Sequence, residues 1–171
     1  MKRTLLFVGT IMATMSYAQD CSDLFISEYV EGVGNNKALE IYNPTAAAID
    51  LSDYIVVRYS NGATTANSAN AVQLTGMVAP YDVQVAVLEK LNPNGTVLEV
   101  PIWDSLQARA DQYYSPDYAV SNAFYWNGND AVALAKGTVA NVGTAVLVDL
   151  FGKIGEDPGD GWSTDFPYTG A

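Results

Sequence analysis

"SEYVEGVGNNKALEIYN", residues 27–43, carries the reading of the fold. It crowds Glu28, Glu31, Asn35, Asn36, Lys37 and Glu40 into one short span. It is therefore either a polar site or two strands with the turn between them. The order of side chains favours strands. In "DLFISEYV" (23–30), Leu24, Ile26 and Val30 fall on one side and Phe25, Ser27 and Tyr29 on the other. In "KALEIYN" (37–43), Leu39 and Ile41 alternate with Ala38, Glu40 and Tyr42. The linking "EGVGNN" supplies two glycines and two asparagines, which take up positive φ at little cost. A hairpin is expected.

The same signals continue along the chain. Asn43-Pro44 opens a turn, and Asp50, Ser52 and Asp53 are placed to bond nearby backbone amides. "YIVVRYS" (54–60) is strongly β-prone and ends at Asn61-Gly62. "AVQLTG" (71–76) and "VQVAVLEK" (83–90) read as strands, with Val83, Val85 and Val87 on one face. "TVLEV" (96–100) reads as a short strand. "WDSLQARADQYY" (103–114) predicts a helix, since Leu106, Ala110 and Tyr113 share a face at helical spacing. Strands at 130–135 and 144–152 complete a set of seven or eight, with turns at sandwich-like intervals. No repeat, heptad or linker divides residues 19–171, and 171 residues suit one domain.

Composition narrows the function classes. Hydrophobic residues make up 49% and charged residues 16%, enough for a core and too few charges for a disordered chain. Residues 1–18 have a signal-peptide layout: Lys2 and Arg3, then "LLFVGTIMAT", then small residues up to Ala18. Export with cleavage near Ala18 is expected. The apolar stretch is too short for a transmembrane span. Cleavage removes two cations and no carboxylate, so the formal charge moves from −11 to −13. Such a surface repels phosphate backbones, and no nucleic-acid binding by this segment is expected. Cys21 is the one cysteine, and there is no histidine. Disulfides within the chain, cysteine zinc sites and Ser-His or Cys-His catalysis are excluded. Cys21 reads equally as half of a link to a partner or as a harmless exposed thiol.

Three constellations are candidates for chemistry. Glu28, Glu31 and Glu40 are carboxylates of the type that cleave glycosidic bonds in pairs, but they lie on a hairpin pattern with Lys37 as a ready ion-pair partner. The structural reading is preferred. In "EDPGDGWSTD" (156–165), Asp157, Asp160 and Asp165 offer hard oxygen ligands for Ca²⁺, but the spacing is not that of the twelve-residue calcium loop, and an Asp-Gly turn is preferred. Trp103, Trp126 and Trp162, with Tyr113, Tyr114, Tyr118 and Tyr125, can stack on sugars or anchor a core. Trp126, just before a turn and a strand, is assigned to the core, and Trp162 is left open. Gly32-Val33-Gly34 lacks the lysine and serine of a phosphate loop. Hence no catalytic residue, metal ligand or cofactor is assigned, and the binding residues stay unknown.

"LFISEYVEGVGNNKALEIYNPTAAAIDLSDYIV" (24–56) resembles the start of bacterial lamin-tail domains, exported relatives of the immunoglobulin-like domain of nuclear lamins. "VQLTGMVAPYDVQVAV" (72–87) resembles that family's strand pair, and "WNGNDAVALAKG" (126–137) its late strand. "VDLFGKIGEDPG" (148–159) resembles the ending of exported Bacteroidetes-type members. The resemblance covers most of residues 23–162, and the stretch 92–125 is less typical. It implies an immunoglobulin-like sandwich, so the fold expected is all-β, with the one short inserted helix that the spacing at 103–114 adds. It also implies an exported accessory module, often beside nucleases, phosphatases or other hydrolases, and brings no catalytic motif. Longer relatives continue beyond this ending, so the chain is expected to be a C-terminally truncated fragment with an unpaired strand edge. The leading expectation is a non-catalytic interaction or spacer module of a larger cell-surface or secreted protein, with a protein or surface-polysaccharide partner and an oligomeric state left open. The alternatives are an accessory fragment of an exported hydrolase and a carbohydrate-binding module.

Overall fold

The computed structural model describes residues 22–162. The readings on residues 1–18, Cys21 and Asp165 lie outside this range. Ten strands form in order: β1 (Phe25–Glu31), β2 (Lys37–Tyr42), β3 (Ile49–Asp50), β4 (Tyr54–Tyr59), β5 (Ala71–Gln73), β6 (Met77–Val78), β7 (Val83–Leu88), β8 (Gln112–Tyr114), β9 (Ala131–Lys136) and β10 (Val146–Phe151). One short helix, α1 (Asp104–Gln107), interrupts them.

Two four-stranded sheets hold the molecule together. The first has the order β1-β2-β7-β8 and the second β10-β9-β4-β5, while β3 and β6 pair as a small ribbon. All pairings are antiparallel except β7 with β8. The space between the sheets is filled by Leu39, Ile41, Ala86 and Leu88 from the first and by Tyr54, Val56, Val132 and Leu134 from the second. Phe124 and Trp126 wedge into the same core with their rings 5.1 Å apart. Burying a side chain of this size contributes about 1.5–3 kcal/mol. The expected two-sheet sandwich is thus present.

Apolar residues lie on both faces of β2, β4 and β9 because both sheets are covered outside as well. Ile102, Leu106, Ala110 and Tyr113 cover Ala38 and Val87 on the outer face of the first sheet. Ala66, Val139, Val142 and Ala145 cover Ile55, Val57, Ala133 and Ala135 on the second. Asn43, fully buried, organises the turn after β2: its amide donates to Ala47, Val78 and Ala79 carbonyls, and its Oδ1 accepts from Thr45.

Three sequence readings are corrected. The β1 register slips between Ile26 and Glu28. Ile26 still packs on the central core, but beyond the bulge Tyr29 faces that core and Val30 joins the outer cluster. A one-residue slip exchanges faces, so strict alternation misplaces Tyr29 and Val30. Second, the helix predicted over 103–114 stops after one turn. Asp111 N–H donates to the Val85 carbonyl, Asp111 Oδ2 accepts from Val85 N–H, and residues 112–114 then pair with β7. Leu106, Ala110 and Tyr113 do share one cluster, reached by a turn and a strand instead of a helix. Third, "TVLEV" is a 3-10 turn at Val97–Glu99, because the Asn35 side chain takes the Leu98 and Val100 carbonyls at 2.9 and 2.7 Å.

Candidate functional site

The three hairpin carboxylates divide into a cross-strand pair and a separate Glu31. Glu28 stands opposite Glu40 across the β1–β2 ladder, and Ser27 Oγ donates to Glu40 Oε1 at 2.7 Å. Glu31, at the end of β1, accepts from the Tyr29 hydroxyl at 2.9 Å and lies 3.7 Å from Lys37 Nζ. Burial holds the Lys37 ammonium below the usual lysine range, with Glu31 pulling the other way. Lys37 also donates to the Gly32 carbonyl, so the pair closes the hairpin turn.

Glu31 does line a cleft of about 420 Å³, with Tyr29, Asn127, Gly128, Phe151, Asp160, Gly161 and Trp162. Its walls are structural members. Tyr29 stacks on Phe151 at 3.7 Å and leans on Trp126 at 5.2 Å. Trp162 is buried and donates through Nε1 to the Asp130 carbonyl at 2.8 Å. Gly152 faces the Trp162 ring so closely that an added Cβ would lie 2.7 Å from it. Asp157 Oδ1 accepts from Gly159 N–H and Asn129 Nδ2, the geometry of an Asx turn over Asp157-Pro158-Gly159. Among the described residues, no group of three or more Asp, Glu, Cys or His side chains is arranged to hold a metal.

The aromatic residues divide. Trp126 and Tyr114 are buried, Tyr113 and Tyr125 are half-buried, and Trp103 and Tyr118 are exposed. Trp126 Nε1 bonds the Val30 carbonyl at 3.2 Å, and the Tyr114 hydroxyl bridges Thr75 and Gln84. Trp126 thus lies in the core, as its place before a turn and strand implies. Two of the three tryptophans are committed to packing.

Two buried charge clusters escaped the sequence reading. Arg58, inside "YIVVRY", lies 3.6 Å from Asp130, with both side chains almost wholly buried. Its guanidinium also donates to the Tyr125 carbonyl and to Asn122 Oδ1, while Asp130 Oδ1 caps the Asn61 N–H. A cation within a buried-strand pattern was the available signal, because such a charge needs a partner. Lys90 is buried and binds both oxygens of Glu99 and the Pro116 carbonyl. Burial opposes its charge, but Glu99 and Tyr125 outweigh that and hold its pKa above the ordinary value. Lys90 thereby ties the 92–100 loop to the 115–125 loop.

The hairpin turn and the 91–103 loop form one surface together. Asn36 Oδ1 accepts the Trp103 N–H at 2.7 Å, and its Nδ2 donates to the Val33 carbonyl at 2.7 Å. With the two Asn35 bonds, this pins both loops to each other. The turn after β1 and the 91–103 loop therefore present their outward side chains as one surface.

The family model described as Lamin Tail Domain matches residues 18–146. The chain belongs to the lamin tail domain family. The match runs to the first residue of β10, and it makes the two-sheet architecture that of an immunoglobulin-like domain. A comparison with curated proteins found no match. In this lamin tail domain Ile102, Leu106, Ala110 and Tyr113, from the 92–125 stretch, cover the outer face of the first sheet. No helix among the described residues is long and apolar enough to cross a membrane.

Proposed function

We propose that this lamin tail domain is an exported, non-catalytic module that mediates contact or spacing as the accessory part of a larger cell-surface or secreted protein. The supporting observation is how its charged groups are spent. Glu31 and Lys37 close a turn, Arg58 and Asp130 brace the core, and Lys90 and Glu99 fasten a loop. A catalytic site needs titratable groups held free to face a substrate. These are committed to the fold. The acidic balance disfavours nucleic acid as a partner. Export is proposed from the leader-like first eighteen residues.

The test is turnover by the recombinant chain. No hydrolysis of nucleic acid, phosphomonoester or glycan substrates is expected. Hydrolysis that a Glu31→Gln change abolishes, with the fold intact by circular dichroism, would overturn the reading in favour of an active hydrolase.

A further inference from the structure

We propose that the joint surface of the hairpin turn and the 91–103 loop is a docking site for a protein partner that brings an apolar anchor flanked by lysine or arginine. This deepens the interaction reading above and rests on it. Val33, Val97, Leu98, Val100 and Trp103 are 80%, 84%, 57%, 44% and 57% exposed. Exposed apolar residues scattered singly are ordinary; a connected group of five is not. Four are connected through their backbones, since the Val33, Leu98 and Val100 carbonyls and the Trp103 N–H all bond to Asn35 or Asn36, and the Val97 carbonyl accepts the Val100 N–H. Both asparagines are buried, so the group is held in place before any partner arrives.

The loop is built to keep this presentation. Val97 has φ +57, a left-handed conformation that a β-branched residue adopts only where its surroundings force it. The forcing contacts are visible. Lys90 clamps Glu99, Asn35 clamps the residues on either side of Glu99, and Gly95 passes so near the Glu99 carbonyl that a Cβ would sit 1.8 Å from it. A strained valine pointing at solvent gains nothing from the fold itself.

Charge selects the partner. The cations beside this surface face inward: Lys37 is spent on Glu31 and Gly32, and Lys90 on Glu99 and Pro116. Asp104 next to Trp103 and the outer part of Glu99 are exposed, and Glu31 and Asp160 line the cleft at the same end of the sandwich. The exposed cation that follows α1, Arg109, is turned back onto the Ser105 carbonyl. The surface is thus an apolar knob in a negative field, on a chain of formal charge −11. An anionic lipid surface or a second copy of the chain would add negative charge to negative charge; a basic, apolar protein surface would neutralise it.

The test uses the full chain and two synthetic amphipathic peptides, one of leucine and lysine and one of leucine and glutamate. Trp103 is the exposed tryptophan among the described three, so its emission should shift to the blue on binding. The leucine–lysine peptide should bind, more weakly at higher salt, and the leucine–glutamate peptide should not. The double change Val97→Ser/Leu98→Ser, and separately Val33→Ser, should weaken binding at least tenfold with the circular dichroism unchanged. Undiminished binding by the folded variants would remove this surface while leaving a contact module in place. Equal binding of both peptides, vesicle binding through Trp103, or a dimer that Val97→Ser/Leu98→Ser dissolves would each overturn the assigned partner chemistry.

Discussion

Asp149 on β10 accepts the backbone N–H of Ile26 on β1 at 2.7 Å. The two strands belong to different sheets, and each has a register slip beside this bond, between Ile26 and Glu28 and between Leu147 and Asp149. The carboxylate thus stands in for a ladder partner at the seam where the sheets meet, and the bulges turn both edges away from flat pairing. Asp149→Ala should cost about 1–3 kcal/mol by urea denaturation, because the Ile26 N–H loses its acceptor. Asp149→Asn, which keeps an oxygen at the site, should restore most of it. Equal losses in both variants would show that the bond to Ile26 is not what matters.

The buried pair of Arg58 and Asp130 predicts an inverted order of stabilities. Arg58→Met alone strands the Asp130 carboxylate in the core and should cost about 3–5 kcal/mol. The double variant Arg58→Met/Asp130→Asn removes the orphaned charge and keeps an acceptor for the Asn61 N–H. It should be more stable than the single variant, and denaturation midpoints at one pH decide the matter.

Asp23, Tyr54 and Lys136 form a cluster at the start of β1, with Asp23 accepting from both partners. Burial pushes the Asp23 carboxyl up, but hydrogen bonds from Lys136, Tyr54 and Leu24 N–H together hold it below its ordinary value. A lowered carboxylate contributes stability above its unfolded pKa of about 4 and loses it as pH falls through the folded value. The bond to Asp23 and the neighbouring Tyr54 hold the Lys136 ammonium above its ordinary value. Its contribution is present below an unfolded pKa of about 10.4 and is lost as pH rises through the folded one. The melting-temperature gap between the native chain and Asp23→Asn should therefore be widest near neutrality and close at both extremes. A gap independent of pH would contradict the cluster.

Gly152, at φ +82, faces the Trp162 ring. Gly152→Ala should cost roughly 1–2 kcal/mol for the left-handed backbone alone, with more for displacing the indole. Tryptophan emission should move to the red as Trp162 leaves its buried place. An alanine variant with native emission and stability would show that the ring has room to yield.

The sandwich was legible because its strands announce themselves locally: "KALEIY" and "YIVVRY" need no knowledge of distant residues. The faces of β1 were not, because the Ser27 bulge is set by what β2 and the β10 seam require. The 103–114 stretch shows the same limit. Its helical spacing is real, but the β7 edge offers Val85 and its neighbours as partners, and tertiary pairing overrides local preference. Nor could the 97–103 surface be read, since it depends on Asn35 and Asn36 reaching across more than sixty residues to fix it. The family signature, by contrast, lies in the hairpin and its continuation.

The positions of Asp23 and Trp162 have a mechanical meaning. Asp23 sits beside Lys136, at one end of β9, and Trp162 beside Asp130, at the other. Tension applied between them would draw β1 and β10 lengthwise in opposite senses past β2 and β9. Every rung of those two ladders would then be sheared together instead of unzipping in turn. Stretching single molecules between these two points should then give one abrupt rupture instead of a series of small ones.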